Sequence, residues 1–223
     1  MIRPILAFTI ALLPASVLAQ ETINVGVLNN QDVSVVQDIL YPKANTKEFG
    51  FHVGWMPFDA FTTTPLAALT YTSHRSEIIG YEFSLGGGYG LKNQAYRALE
   101  EPEYAIAPDA YRYLGSALLD AQFSPIYAKM NVGGNRIFHH DVYGLAGFGL
   151  TVEQAIIPDN DLAFSPTAGI GIGARIFLGG GRALRVQLRD DFLVQIREKT
   201  SSSQGPFIKQ NVALTVGIVK LKR

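Results

Sequence analysis

The chain has 223 residues, with 19 basic and 19 acidic side chains, 22 glycines and no cysteine. The length suits one domain or one closed barrel. The balanced charge excludes the broad basic surface that nucleic-acid binding uses, and the lack of cysteine excludes disulfides and thiolate metal sites. Charged residues make up 17% of the chain, which is low because about a quarter is usual in soluble domains.

The first 19 residues have the pattern of a secretory signal. Arg3 precedes an apolar run over residues 5–13, and Val17 and Ala19 are small residues at the two positions that a signal peptidase reads. The run is too short to span a bilayer. We therefore expect cleavage after Ala19, with an uncleaved anchor as the alternative, and export to the envelope of a Gram-negative bacterium.

Three regions are expected from this start. Residues 1–19 form the cleaved signal, residues 20–47 form a periplasmic arm that packs across the mouth of the next domain, and residues 48–223 form that domain. No later window holds about 18 consecutive apolar residues, so the sequence predicts no helical membrane span.

Beyond the arm the dominant sequence period is two, which is the period of a β-strand. Over residues 182–197, one set of alternate positions is apolar apart from Asp190, and the other set is polar apart from Leu193. Over residues 167–177, TAGIGIGARIF, the second set is mostly glycine. A soluble sandwich would carry lysine and glutamate on that second face, whereas a narrow membrane barrel needs small or paired side chains inside.

Eight segments show this alternation, at residues 48–58, 66–73, 78–90, 114–129, 141–153, 162–177, 183–198 and 210–219. The pattern predicts an all-β fold, a closed eight-stranded antiparallel up-and-down transmembrane β-barrel.

The connections between these segments alternate in length. Links 74–77 and 178–182 are tight, whereas links 91–113 and 199–209 are longer. Outer-membrane barrels place short turns in the periplasm and long loops outside, so a periplasmic N-terminus fits this alternation. Link 130–140 is the exception, since it is long for a periplasmic turn.

The glycine-rich stretches do not match nucleotide-binding motifs. Gly169, Gly171 and Gly173 do not have the GxGxxG spacing, and LGGGYG at 85–90 continues as LKNQ without the lysine of a phosphate loop. HExxH and GxSxG are also absent from the sequence. We expect no nucleotide, cofactor or metal, and we interpret the glycines as space for Arg185 or Arg189 of the next strand.

Three segments resemble a known family. They are VSVVQDILYPKANTKEFGF at 33–51, FSPIYAKMNVGGNRIFHHDVYGLAGFG at 123–149 and RALRVQLRDD at 182–191. The resemblance is to the small outer-membrane β-barrel domain family of myxobacteria and related bacteria. The matching positions are Val35, Val36, Gln37, Pro42, Lys43, Pro125, Ile126, Tyr127, Lys129, Asp141, Val142, Tyr143, Gly147, Gly149, Arg185, Arg189 and Asp190.

That resemblance spans most of the mature chain and implies an outer-membrane barrel without a defined chemical activity. Ala128 and His140 stand where the family pattern has a glycine and an aromatic residue. The end of the chain also departs from outer-membrane barrels in general, which finish on an aromatic residue. Here Lys220, Lys222 and Arg223 are expected to follow the last strand.

The alternation directs a set of ionisable side chains into the barrel: Glu82, Asp120, Arg175, Arg185, Arg189 and Asp191. We expect them to form interior ion pairs that plug the lumen, because unpaired buried charges are costly. The alternative is a proton or solute path, which needs a wider lumen than eight strands provide. Asp190 has the opposite parity and should lie near an interface or pair locally.

An enzyme is the third hypothesis, because some small outer-membrane barrels are hydrolases or lipid-modifying enzymes. His52, Glu82 and Ser84 share the inward parity and are the best candidates, but no nucleophile motif accompanies them. His139 and His140 are adjacent and therefore point to opposite faces of a strand, so they do not predict a shared metal ion. The sequence thus predicts no catalytic residue and no enzyme activity.

Aromatic residues lie both at predicted strand ends and in the long link. Six lie toward predicted strand ends, where rings favour the lipid–water boundary: Trp55, Phe58, Tyr71, Tyr89, Tyr127 and Tyr143. The long link is expected to contain a short helix and offers a candidate partner-contact loop with Tyr96, Tyr104, Tyr111 and Tyr113. We predict an outer-membrane protein with a structural or interaction role, in contact with lipid and with other envelope proteins, and a small pore as the alternative.

Overall fold

The computed structural model describes residues 39–106, 108, 110–132, 136–156, 161–195 and 206–223. The predicted signal and residues 20–38 of the predicted arm lie outside the described residues. The described elements are β1 (Lys47–Met56), β2 (Thr62–His74), β3 (Ile79–Gly88), β4 (Leu91–Lys92), α1 (Gln94–Glu100), β5 (Tyr111–Val132), β6 (Arg136–Ala155), β7 (Leu162–Gly179), β8 (Arg182–Gln195) and β9 (Phe207–Lys222).

Eight of these strands close into a ring. The hydrogen-bonded order is β1-β2-β3-β5-β6-β7-β8-β9, every pairing is antiparallel, and β9 returns to β1. The two-residue β4 pairs only with the start of β2 and stands outside the ring. The predicted closed eight-stranded antiparallel up-and-down β-barrel is therefore confirmed.

The strands alternate between apolar and polar side chains, and this alternation suits a barrel whose outer and inner faces have different surroundings. In β1, Phe49, Phe51 and Val53 project outward and stay 53–55% exposed, whereas Glu48 and His52, at positions of the opposite parity, are buried. The same inversion recurs around the ring, with apolar side chains outside and polar side chains inside. This is the distribution of a barrel that meets lipid rather than water on its outer face.

The two ends of the barrel differ in how the strands are joined. Links 75–78, 133–135 and 180–181 join strands at one end, which we call the turn end, and the N- and C-terminal parts of the barrel chain also lie there. At the other, the loop end, strands are joined through residues 57–61, 89–110, 156–161 and 196–206. Gly180 and Gly181 have φ of 60° and 69°, the left-handed pair that a tight hairpin requires.

Two details differ from the sequence predictions, and one agrees. β5 and β6 extend to Val132 and from Arg136, so the link expected at 130–140 is mostly strand because its residues pair with one another. β9 runs to Lys222, so Lys220 and Lys222 lie within the last strand rather than after it. The expected helix is α1, and within the described part of the chain no helix is long and apolar enough to cross a membrane.

Residues 39–46 lie across the turn end, and we call them the strap. Tyr41 stacks on Phe177 with ring centroids 5.1 Å apart, and the Lys43 and Ala44 amides donate to the Glu77 carboxylate at 2.8 and 2.9 Å. Asn45 adopts a φ of 57°, which asparagine tolerates better than most residues. The strap thereby packs against the turn end of the barrel.

At the loop end, α1 is fixed by its own cap and by a small apolar cluster. Asn93 accepts a hydrogen bond from the Tyr96 amide at 3.0 Å, as an N-cap residue does. Tyr96 is fully buried with Ala110 and Ile156, and Phe61 packs against them. The long link is therefore an ordered cap rather than a free loop.

Candidate functional site: the interior charge network

The structure places all six predicted interior charges inside the barrel. Each is at most 7% exposed, and Arg175 and Arg185 are fully buried. Arg185 pairs with Glu82 and Arg189 pairs with Asp120 across the lumen, whereas Arg189 and Asp191 pair along β8. The contacts divide into groups at successive depths of the barrel.

Arg175 joins two carboxylates near the turn end. Its Nη1 donates to Asp141 Oδ2 at 2.7 Å, and its Nη2 donates to Glu48 Oε1 at 3.4 Å and to Gln122 Oε1 at 3.1 Å. Its Nε lies 2.9 Å from Glu48 Oε2, an ion-pair contact without the alignment of a hydrogen bond. The ammonium of Lys43 in the strap also contacts Asp141, so the strap is an electrostatic part of the interior.

The Lys43 side chain is almost completely buried by this contact. Burial lowers the pKa of its ammonium below the ordinary range, and the adjacent Asp141 carboxylate offsets part of that shift. The strap therefore carries a cation whose charge is costly to bury and is compensated by one specific carboxylate.

Arg185 forms the central group. Its Nη1 donates to Glu48 Oε1 at 2.9 Å and to Glu82 Oε2 at 2.7 Å, and its Nε donates to the Tyr143 hydroxyl at 3.0 Å. Its Nη2 donates to Gln187 Oε1 at 2.9 Å. The guanidinium carbon also lies 4.9 Å from the centre of the Tyr143 ring, a cation–π distance.

Two further cations, Arg189 and Lys209, also contact two carboxylates each. Arg189 donates from Nη1 to Asp120 Oδ2 at 2.8 Å and from Nε to Asp191 Oδ1 at 2.6 Å. Near the loop end, Lys209 Nζ lies 2.8 Å from Asp59 and 2.8 Å from Glu153. Each of the cations Arg175, Arg185, Arg189 and Lys209 thus contacts two carboxylates, which compensates much of the cost of burial.

A small cavity lies within this network. Its volume is about 60 Å³, and Glu82, Arg189, Asp191, His52 and Tyr113 are among the residues that line it. That volume has room for roughly four water molecules and is well below the ~300 Å³ at which ligand pockets begin. This cavity therefore has room for water but not for a ligand of ordinary size.

The interior glycines make room for two kinds of neighbour. A Cβ at Gly169 would collide with Asp191 and with Arg189, which agrees with the expected space for a charged side chain of β8. A Cβ at Gly173 would instead collide with the Tyr143 ring of β6. For Gly173 the expected partner in β8 is therefore wrong, because the aromatic ring from the other neighbouring strand fills that space.

Several network members were not expected from the sequence: Lys43, Glu48, Gln122, Asp141, Tyr143, Glu153, Gln187 and Lys209. Glu48 and Asp141 stand at the edges of predicted strands, where parity alone could have assigned them inward. Tyr143 was expected at the lipid boundary, but its parity follows Asp141 and it is fully buried. Tyr127 also turns inward, and its hydroxyl lies 2.9 Å from His139 Nδ1.

The residues considered for catalysis are occupied in other ways. His52 Nε2 lies 3.0 Å from Thr70 Oγ1, while the Glu82 carboxylate accepts hydrogen bonds from Arg185 and Thr72. The structure thus brings His52, Glu82 and Ser84 to one small cavity, but it engages His52 with Thr70 and Glu82 with Arg185 and Thr72. Among the described residues, no group of three or more His, Asp or Glu side chains is placed to hold a metal ion.

The four tyrosines of the predicted contact loop are not equivalent. Tyr104 is 59% exposed, Tyr111 is half-buried, and Tyr96 and Tyr113 are buried. Tyr96 packs under α1, and Tyr113 points into the barrel, where its hydroxyl lies 2.8 Å from Ser116 Oγ. The surface offered by this loop is therefore smaller than the sequence predicts.

Asp190 projects from the outer face of β8, as its parity predicts. Its Oδ2 accepts a hydrogen bond from Gln210 Nε2 at 2.5 Å, and its Oδ1 is buried without a hydrogen-bond partner. The exposed apolar residues Leu188 and Phe192 flank it along the strand. Asp190 therefore pairs locally within the apolar outer surface.

Comparison with known proteins gives a likeness of fold. No protein-family model and no curated protein matches the chain. Among solved structures, the chain is similar to the N-terminal β-barrel domain of Pseudomonas aeruginosa OprF, with a TM-score of 0.51 and 11% identity over 82% of this chain and 100% of that chain.

Two further solved structures have lower scores. Neisserial surface protein A matches with a TM-score of 0.44 and 9% identity over 78% of this chain and 94% of that chain. Ail, the attachment invasion locus protein of Yersinia pestis, matches with a TM-score of 0.43 and 11% identity over 80% of this chain and 99% of that chain. The chain has the fold of the eight-stranded outer-membrane β-barrels, and the OprF likeness carries that conclusion.

Proposed function

We propose that this chain is an integral outer-membrane β-barrel with a plugged lumen and a structural or interaction role in the cell envelope. The observation that carries the proposal is the interior network, in which four cations each contact two carboxylates, and in which Arg185 reaches Glu82 and Arg189 reaches Asp120 across the lumen. A hydrated solute would have to displace these contacts in order to pass. The outward apolar surface supplies the affinity for lipid.

The proposed orientation places the turn end in the periplasm and the loop end outside the cell. Short turns and long loops are distributed in this way in outer-membrane barrels. The predicted signal over 1–19, the arm over 20–47 and the barrel over 48–223 fit this orientation, since the arm then begins in the periplasm. The family proposed is the small outer-membrane barrel family of myxobacteria and related bacteria, on the motifs quoted above.

The loop end is the proposed surface for other envelope proteins. The link over residues 57–61 beside the cap is held by Asp59, whose Oδ1 accepts hydrogen bonds from the Phe61 and Thr62 amides at 2.9 and 3.0 Å. Phe58 of this link and Tyr104 of the cap remain 75% and 59% exposed. A preorganised surface with exposed aromatic rings suits protein contact.

The barrel is tested by gel migration of the protein from an outer-membrane fraction. We expect the unheated protein to migrate differently from the boiled protein, because a closed barrel resists the detergent at room temperature. A single band that is insensitive to heating, from a soluble fraction, would contradict the proposal.

The plug is tested by conductance of the purified barrel in a planar bilayer. We expect no steady conductance from the native chain, whereas a pore would give regular unit steps. The matched comparison is the double variant Arg185→Ala/Arg189→Ala, which removes two bridging guanidiniums while the outer face is unchanged. Conductance steps in the variant alone support the plug, and steps of equal size in both proteins favour the alternative of a small pore.

A further inference from the structure

Four cations lie side by side on the outer face of the barrel at the turn end. Arg182 of β8 pairs directly with Lys220 of β9, and Lys222 of β9 pairs directly with Lys47 of β1. All four side chains are exposed and have the same parity as the apolar outer residues of their strands. We call Lys47, Arg182, Lys220 and Lys222 the basic row.

The strand register places cations of the basic row directly opposite each other, which is unfavourable without a counter-charge. Like charges directly opposite each other on neighbouring strands are destabilising, and paired residues on adjacent strands are only about 5 Å apart. Among the described residues, none of the four forms an ion pair within the chain. The acidic side chain next to Lys47 along the chain, Glu48, points inward and is bound by Arg175 and Arg185.

The basic row differs from the interior cations in its lack of carboxylate partners. Inside the barrel, each of the four bridging cations has two carboxylates from this chain. The basic row collects four cations over three adjacent strands and lacks such partners within the described chain. This surface is therefore available to an anion from outside the chain.

The depth of the basic row indicates what kind of anion this is. Two residues further toward the loop end, the outer face becomes apolar with Phe49, Leu184 and Ile218. Phe49 also packs on Tyr71, with ring centroids 4.9 Å apart. The row thus lies at the edge of the apolar surface, where a membrane changes from acyl chains to head groups.

We propose that the basic row binds the phosphate of an anionic phospholipid head group, while the lipid's acyl chains lie on the apolar surface beside it. Clusters of lysine and arginine at a membrane boundary recognise anionic lipids in this way, at about 1 kcal/mol for each cation. The site rests on the proposed orientation, which makes the inner leaflet of the outer membrane the source of the lipid.

The test measures binding of fluorescent phosphatidylglycerol and of fluorescent phosphatidylcholine to the full barrel refolded in neutral detergent. The variant is Lys220→Gln/Lys222→Gln. The control is Arg97→Gln/Lys129→Gln, which removes the same charge from exposed positions outside the row. We expect the native protein and the control to prefer phosphatidylglycerol, and the variant to lose roughly ten- to thirty-fold of that affinity.

Several results would overturn the proposal. One is equal affinity of the native protein for the two lipids, and another is an equal loss in the variant and in the control. Complete competition by millimolar inorganic phosphate would indicate a free-anion site, and equally tight binding of a soluble polyanion such as heparin would indicate a general cationic surface. Gel migration of every sample shows whether the barrel has folded, so failure of the barrel proposal is distinguishable from failure of the lipid site.

Discussion

Tyr143 and Gly173 lie directly opposite each other on β6 and β7, and the tyrosine ring fills the space into which a Cβ at Gly173 would project. The same ring contacts the guanidinium groups of Arg175 and Arg185 at 5.2 and 4.9 Å from its centre. A glycine on one strand thus allows an aromatic ring from the next strand to hold two cations at the centre of the barrel.

The first prediction concerns this space. Gly173→Ala should lower the free energy of unfolding by about 1–3 kcal/mol, because the ring must move and disturb both guanidinium contacts. Gly87→Ala is the control, since the nearest atom to its Cβ is Leu114 O at 3.9 Å, an ordinary contact. Urea unfolding in lipid vesicles, followed by gel migration, measures both variants. An equal effect of the two alanines would show that the Tyr143 ring yields without cost.

The second prediction concerns the central cation. Arg185→Met should lower the free energy of unfolding by about 3–5 kcal/mol, because Glu48 and Glu82 lose a buried partner. Lys92→Met is the matched control, since the Lys92–Glu100 pair is about one-third exposed, and it should cost less than about 1 kcal/mol.

A double variant separates charge from packing at Arg185. Adding Glu82→Gln to Arg185→Met should recover part of the loss, because one of the two stranded carboxylates is then neutral. Urea midpoints of the two single variants and of the double variant give the coupling. Strict additivity would mean that the Arg185–Glu82 contact contributes little.

The third prediction uses two adjacent aspartates with opposite parity. Asp190→Asn should stabilise the barrel in bilayers by up to about 2 kcal/mol, because it removes a charge from the apolar outer face while an amide can still bond Gln210. Asp191→Asn should destabilise it by about 1–3 kcal/mol, because Arg189 loses one of its two charged partners. Unfolding free energies of the same sign for both variants would contradict the assigned parity.

The fourth prediction concerns pH and the strap. The pKa of Lys43 in the folded protein lies below its ordinary value of 10.5, so the folded state binds this proton less tightly than the unfolded state. The stability of the native chain should therefore rise, relative to Lys43→Met, as the pH increases through the folded pKa toward 10.5. Thermal unfolding of both proteins at pH 7, 8.5 and 10 measures the difference, and a difference that falls with pH would reverse the assigned shift.

Sequence periodicity was sufficient for the architecture because a strand has only two faces. The parity of Arg185 and Glu82 could be assigned without knowing their neighbours, and the glycines at 169–173 indicated a crowded interior. The contact partners of these interior charges could not be predicted in the same way. Arg185 contacts Glu48 because of the stagger between β8 and β1 around the ring, and a sequence alone does not contain that stagger.

The residues whose positions the sequence did not predict lie where strand alternation gives little information. Lys43 lies outside every strand, so alternation gives no information about where its ammonium goes. Tyr143 stands two residues inside a predicted strand start, where an aromatic ring suits either the lipid boundary or the interior. Tyr96 was expected on a contact surface because a loop tyrosine is usually exposed, but the cap at the loop end has a small core of its own.

The pairing of Glu48 with Arg175 and Arg185 has a consequence for the order of assembly. Glu48 belongs to the first strand, and its two partners belong to the seventh and eighth β-strands, 127 and 137 positions later in the chain. Contacts of such long sequence separation form late, and these need the edge between β1 and β9 to have met. The contacts of Glu48 with Arg175 and Arg185 are therefore complete only after β1 and β9 have paired, so the burial of this carboxylate is coupled to closure of the ring.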